Sequence, residues 1–189
     1  MTITHLYPAE YITTAWSGGE TTQLAIAPKG AAYADRDFLW RLSSATVELD
    51  ESDFTALPDY HRIISTLRGD MTLCHNGGDK ITLHPYEIHE FSGGDETHSW
   101  GRCTDFNLML RRGACIGSVT AHFPKGSETL ALREGGTALV FCGEGTLALR
   151  AGGETLMLAE KESALIEDAP AKLTVESADG AKLMLAQMN

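Results

Sequence analysis

The sequence has no run of Lys and Arg, no C-x-x-C or His-x-His pair, no G-x-S-x-G turn and no long apolar stretch. Each absence removes a class of function. There are 15 basic against 26 acidic side chains, a formal net charge of −11. With no basic patch, that surface does not suit a polyanion, so no nucleic-acid partner is expected. The missing apolar stretch removes a membrane-spanning helix, and no membrane partner is expected. The four cysteines, Cys74, Cys103, Cys115 and Cys142, fit no zinc spacing. No secretory leader opens the chain, so the expectation is a cytoplasmic protein with free, structurally incidental thiols. Two imidazoles at i and i+2 share one strand face and can reach one ion. The seven histidines never take that spacing, so neither a metal nor any other cofactor is expected. Without a nucleophile elbow, or a cysteine in a recognisable setting, no catalytic residue is nominated.

Amphipathic helices are also missing. In their place are short runs rich in Val, Ile, Thr and Tyr between Gly and Pro turns, the pattern of β-strands. The chain, 189 residues long, can bury a proper core without disulfides or metal staples. Residues 1–15 read as a leading segment, and Thr21–Ala27 as a strand after the Gly18-Gly19 turn. Phe38–Glu48 reads as a strand with Leu39, Arg41, Ser43 and Ala45 on one face. After the Pro58-Asp59 turn, Arg62, Ile64 and Thr66 share one strand face, with His61, Ile63, Ser65 and Leu67 on the other. Asp105, Asn107 and Met109 alternate with Phe106, Leu108 and Leu110. A carboxylate beside an amide is either a pocket wall or the wet side of a sheet, and the pattern alone slightly favours the wet side.

An internal repeat organises the chain. Gly69-Asp-Met-Thr-Leu73, Gly77-Gly78-Asp79 and Ile81-Thr-Leu83 return as Gly143-Glu-Gly-Thr-Leu147, Gly152-Gly153-Glu154 and Leu156-Met-Leu158, offset by 74–75 residues. Each copy is strand, hairpin, strand, and many such units argue for barrels of the jelly-roll kind. Two copies imply two β-barrels packed together: residues 1–118 with the candidate pocket, and residues 119–189. The second stretch is short for a barrel, so strands near Thr21–Ala27 and Phe38–Val47 are expected to help complete both.

The polar residues that repay attention lie in the first half: Arg41, His61, Arg62, Asp105 and Asn107, with Trp16 and Glu20 nearby. Two arginines facing a barrel interior could fork onto a carboxylate through parallel hydrogen bonds. The alternative is an internal Arg–Asp pair that only holds the barrel's shape.

Five stretches in order then carry a resemblance: Trp16-Ser-Gly-Gly-Glu-Thr, Asp37-Phe-Leu-Trp-Arg-Leu-Ser, Phe54-Thr-Ala-Leu-Pro-Asp-Tyr-His-Arg-Ile, Leu67-Arg-Gly and Asp105-Phe-Asn-Leu-Met. Together they resemble the HutD/Ves family, over residues from about 10 to the end. The resemblance implies an all-β bicupin, two RmlC-like jelly-roll barrels in one chain, with no established catalytic activity. Family members are associated with histidine-utilisation genes and proposed to regulate that pathway by binding a small metabolite; Ves-type members are tied to stress responses. The motif positions here are Trp16, Gly19, Glu20, Thr21, Arg41, Arg62, Asp105 and Asn107; His61 departs from the motif. Three readings follow. The first is a non-enzymatic binding or regulatory protein that holds a small carboxylate in its first barrel and forms a homodimer. The second is a cupin-type enzyme, an isomerase or metal-dependent oxygenase. The third is a scaffold for protein contacts.

Overall fold

The computed structural model describes residues 1–189. It is built almost entirely of strands. The first part runs β1 (Thr2–Leu6), β2 (Ile12–Trp16), β3 (Gly19–Ala27), β4 (Trp40–Val47), β5 (Glu51–Asp53), β6 (Tyr60–Arg68), β7 (Met71–His75), β8 (Lys80–Leu83), β9 (His89–Ser92), β10 (Thr97–Trp100) and β11 (Cys103–Arg111). The rest runs β12 (Gly117–His122), β13 (Gly126–Ala131), β14 (Thr137–Glu144), β15 (Thr146–Ala151), β16 (Glu154–Ala159), β17 (Ser163–Glu167), β18 (Lys172–Ser177) and β19 (Lys182–Met188). No helix is long and apolar enough to cross a membrane.

The chain divides into two compact units, Tyr11–Ile116 and Met1–Glu10 with Gly117–Asn189. In the Tyr11–Ile116 unit a six-stranded sheet, β2-β3-β4-β11-β6-β9, faces a four-stranded sheet, β5-β10-β7-β8. Ile64 and Phe91 of the larger sheet pack with Met71, Leu73 and Leu83 of the smaller one. In the other unit the sheets are β1-β17-β14-β19-β12 and β13-β18-β15-β16. Val140, Ile166 and Leu183 of the first pack there with Leu147, Leu158 and Leu173 of the second. Alternating strands bury one set of side chains between two sheets, which is the jelly-roll solution to an all-β core.

The two units repeat one plan. The strand order β5-β10-β7-β8 matches β13-β18-β15-β16, and β4-β11-β6-β9 matches β12-β19-β14-β17. The repeated stretches fall on matching hairpins, β7–β8 in one unit and β15–β16 in the other. What differs is added at the edges. The hairpin β2–β3 extends the first unit beyond β4, and β1 extends the second beyond β17.

Three details depart from the sequence reading. The leading segment contributes two strands, the first pairing with β17 so that Ile3 lies opposite Ile166 and Leu6 opposite Ser163. Met1–Glu10 therefore lies with the later residues. Thr21–Ala27 and Phe38–Val47 both serve the Tyr11–Ile116 unit, where β3 pairs with β4.

All four cysteines are free. Burial pushes the Cys103 thiol up to about 12 and the Cys142 thiol up to about 11, which suppresses the reactive thiolate. Native protein should therefore show rapid thiol reaction only at the half-buried Cys74 and Cys115, with Cys103 and Cys142 reacting after denaturation. Fast labelling of Cys103 in folded protein would contradict this.

Candidate functional site

The site rests on the alternation of three neighbouring strands. β4 and β6 flank β11, and the register sets Met109 opposite Arg41 on one side and Arg62 on the other. Two strand spacings separate the arginine backbones by about 10 Å, within reach of two long side chains converging on one point. The next inward row sets Asn107 opposite Ser43 and Ile64. Alternation carries the inward face on to Asp105, opposite Thr66, and beyond it the pairing slips by one residue on β6, where Leu67 falls between Thr66 and Arg68.

Arg41, Ser43, Arg62, Asp105, Asn107 and Met109 line a cavity of about 700 Å³ in the Tyr11–Ile116 unit. Arg41, Arg62, Asp105 and Asn107 are all buried, each no more than 6 % exposed. For Asp105 and Asn107 this corrects the wet-side reading. Alternation shows that the two share a face but not which side of the sheet is covered.

The two arginines are held differently. Arg41 Nε donates to Gln23 Oε1 at 2.8 Å and Nη1 to Ser43 Oγ at 3.1 Å, with the guanidinium 4.3 Å from the Tyr33 ring centre. Arg62 Nε is buried without a hydrogen-bond partner. Its guanidinium lies over Phe54 and Phe91, 4.7 and 5.2 Å from the ring centres. Neither arginine makes a salt bridge with Asp105, whose Oδ1 instead accepts the Ala45 N–H at 2.7 Å.

Burial lowers the proton affinity of both arginines, Arg62 down to about 10, with Asp105 opposing the shift. Both remain cations at neutral pH. Burial raises the Asp105 carboxyl to about 6, opposed by the Ala45 N–H and then by the two arginines. At pH 7 the cavity thus holds two positive charges and one negative, in a chain whose net charge is −11. Asn107 Oδ1 and Thr66 Oγ1 are also buried without partners. Unpaired buried polar groups are costly, so several in one place mark a region not built for stability alone.

Of the other expected residues, Trp16 lines the cavity from the edge strand β2. Its motif is explained by the turn that follows. A Cβ on Gly18 would strike the Trp16 ring, and one on Gly19, at φ +143°, would fall on the Thr46 carbonyl oxygen. Gly19→Ala should therefore disrupt β3–β4 pairing and cost about 2–4 kcal/mol, read by chemical denaturation. Unchanged stability would contradict that close approach. Glu20 is exposed on the opposite face of β3 from Thr21, and His61 on the opposite face of β6 from Arg62, where it meets Glu90 at 3.0 Å. Neither lines the cavity.

Sequence reasoning passed over Gln23, Tyr33, Phe54 and Phe91. Tyr33 sits in a single 3₁₀ turn, Tyr33–Asp35, within what reads as a loop, and nothing in its local pattern signals a wall. The pair His75 and His89 was also missed, because its members lie on β7 and β9 and meet only in the fold, Nε2 to Nε2 at 2.9 Å. His75 Nδ1 contacts Thr97 Oγ1 at 2.8 Å. No group of three or more His, Cys, Asp or Glu is arranged to hold a metal ion.

The repeat supplies an internal comparison. By register, Arg62, Asp105 and Asn107 on β6 and β11 correspond to Ala138, Leu183 and Leu185 on β14 and β19. All three counterparts are buried in the apolar core of their unit. The same plan thus closes without any of the buried polar groups.

Two jelly-roll units, one filled with apolar side chains and one holding a cationic cavity, define a bicupin. The HutD family profile matches residues 8–185, and the chain belongs to that family. No curated protein matches it in sequence. Among solved structures, a conserved protein of unknown function from Pseudomonas aeruginosa superposes with a TM-score of 0.90 at 24 % identity, covering all of both chains. HutD from Pseudomonas fluorescens follows at a TM-score of 0.80 and 20 % identity, over 100 % of this chain and 98 % of that one. YhhW from Escherichia coli gives 0.71 at 10 % identity, over 98 % and 97 %. These similarities establish the fold.

Proposed function

We propose that this HutD-family protein is a non-enzymatic binding or regulatory protein that holds a small carboxylate in the cavity of its Tyr11–Ile116 unit. The observation that carries this reading is Arg62, a buried cation whose Nε has no hydrogen-bond partner and whose guanidinium meets the rings of Phe54 and Phe91 rather than a carboxylate. A buried charge is stabilised by a counter-ion or not retained. Asp105 is the nearby carboxylate, but it is turned to the Ala45 N–H. The purely structural alternative loses support from the repeat, whose second copy has Ala138, Leu183 and Leu185 at the equivalent places.

In this reading Arg62 and Arg41 grip the carboxylate and Asn107 donates to it from its amide. The resemblance implies a link to histidine utilisation, so urocanate and formylated amino acids are the first probes. Calorimetry with these acids and their neutral amides tests the proposal. The expected result is one-to-one binding of an acid, with the amide of the same shape bound at least tenfold more weakly. Equal binding of acid and amide would remove the role of charge.

A further inference from the structure

We infer that the ligand is a monocarboxylate with a flat, largely apolar tail, its head at Arg62 and its tail reaching the edge strand β2 beneath Trp16. This rests on the carboxylate reading above and adds the rest of the molecule.

Size comes first. A cavity of about 700 Å³ has room for some twenty waters at about 30 Å³ each, and falls in the usual range for organic ligands. A carboxylate head alone leaves most of it unfilled. Length comes next. The inward row Ile12, Gln23, Ser43, Asn107 and Ile64 crosses five adjacent strands. From Ile12 to Asn107 is three strand spacings, about 14 Å. Arg62 stands at one end of this trough and the hairpin β2–β3 at the other. That hairpin extends the sheet beyond β4, whereas the matching strand β12 ends the sheet of the other unit.

The chemistry changes along the trough. At the inner end Arg62 Nε lacks a partner, while Arg41 already donates to Gln23 and Ser43. Toward the outer end the floor is made of small side chains, Thr14, Thr21 and Ala45, and the rings of Trp16, Tyr33 and Phe54 also line the cavity. Small residues below and aromatic rings around form a slot suited to a flat group. Ile12 and Trp16 line this end yet remain 64 % and 39 % exposed, apolar surface that a tail would cover.

Charge sets the count of carboxylates. Apart from the two arginines and Asp105, the charged residue lining the cavity is Asp53, whose side chain is 84 % exposed and bonded to His98 at 2.6 Å. A second carboxylate near it would be repelled. One negative charge also neutralises the single net positive charge of the cavity.

The test is calorimetric titration of the full chain with 3-phenylpropionate, with acetate and glutarate measured by competition. 3-Phenylpropionate should bind at least thirtyfold more tightly than acetate, and glutarate no more tightly than acetate. Trp16→Ala should weaken 3-phenylpropionate about tenfold and leave acetate unchanged. Ile12→Ser, at a more exposed position, provides a second variant of the same kind. Arg62→Ala should weaken both monocarboxylates by the same factor. Acetate within threefold of 3-phenylpropionate, or equal losses for both acids in Trp16→Ala and Ile12→Ser, would overturn the tail assignment and leave the clamp standing. Indifference of both acids to Arg62→Ala would instead remove the clamp.

Discussion

Arg62→Ala is expected to weaken carboxylate binding roughly 10- to 150-fold while the protein stays folded. A charge-assisted, two-pronged hydrogen bond in a partly dry pocket contributes about 1.5–3 kcal/mol, at about 1.4 kcal/mol per decade of affinity. Lys at position 62 keeps the charge but not the fork, so Arg62→Lys should recover only part of the loss. The fold should tolerate both changes, because Arg62 makes no salt bridge that holds the sheets together. Its register counterpart in the second unit is already an alanine, Ala138. Thermal melting should accordingly shift little, or rise, in Arg62→Ala. Calorimetry and melting read together decide the matter. Wild-type affinity in a folded Arg62→Ala protein would dismiss the clamp, whereas collapse of the variant without ligand would make Arg62 a structural element.

Asp105 should make stability fall as pH rises from about 4 to about 6. In the unfolded chain its carboxyl ionises near the ordinary 3.8, and in the folded protein near 6, because burial disfavours the charged form. Between those values the folded state holds the proton that the unfolded state has released. The stabilisation is therefore present at low pH and is lost as pH climbs through the folded value. A difference of about two pH units corresponds to about 3 kcal/mol. Asp105→Asn keeps an oxygen for the Ala45 N–H and removes the titration. It should be more stable than wild type at pH 7 by up to that amount, with the difference vanishing below pH 4. The same substitution leaves two uncompensated arginines in the cavity, so carboxylate affinity at pH 7 should rise severalfold. Denaturation curves at several pH values, subtracted between wild type and variant, give the first result and calorimetry gives the second. A difference independent of pH would show that Asp105 titrates normally.

Much of the site could be read from local pattern. Arg41, Ser43 and Ala45 share a face because strand side chains alternate, and so do Arg62, Ile64 and Thr66, or Asp105, Asn107 and Met109. The two Gly-Gly hairpins marked the duplication, and the five motif stretches marked the family. The same alternation could not show that the Asp105 face is dry, since that depends on the opposing sheet. Nor could it separate His61 from Arg62 in role, because each lies on a β-strand face and only the fold shows which face meets the cavity.

By itself the sequence determined an all-β protein of two repeated jelly-roll units, since period-two alternation, turn glycines and a repeat are properties of neighbouring residues. It also placed Arg41, Arg62 and Asn107 in phase on their strands. The tertiary structure alone decided which strands are neighbours, and hence what those residues meet. Strand pairing joins β1 to β17, sets both arginines beside Met109, and brings Gln23, Tyr33 and Phe54 to the same cavity. It also leaves Arg62 Nε unpaired, with apolar residues at the matching places of the other unit. Such contacts join residues far apart in the chain, and their register is set by long-range packing that no local stretch encodes.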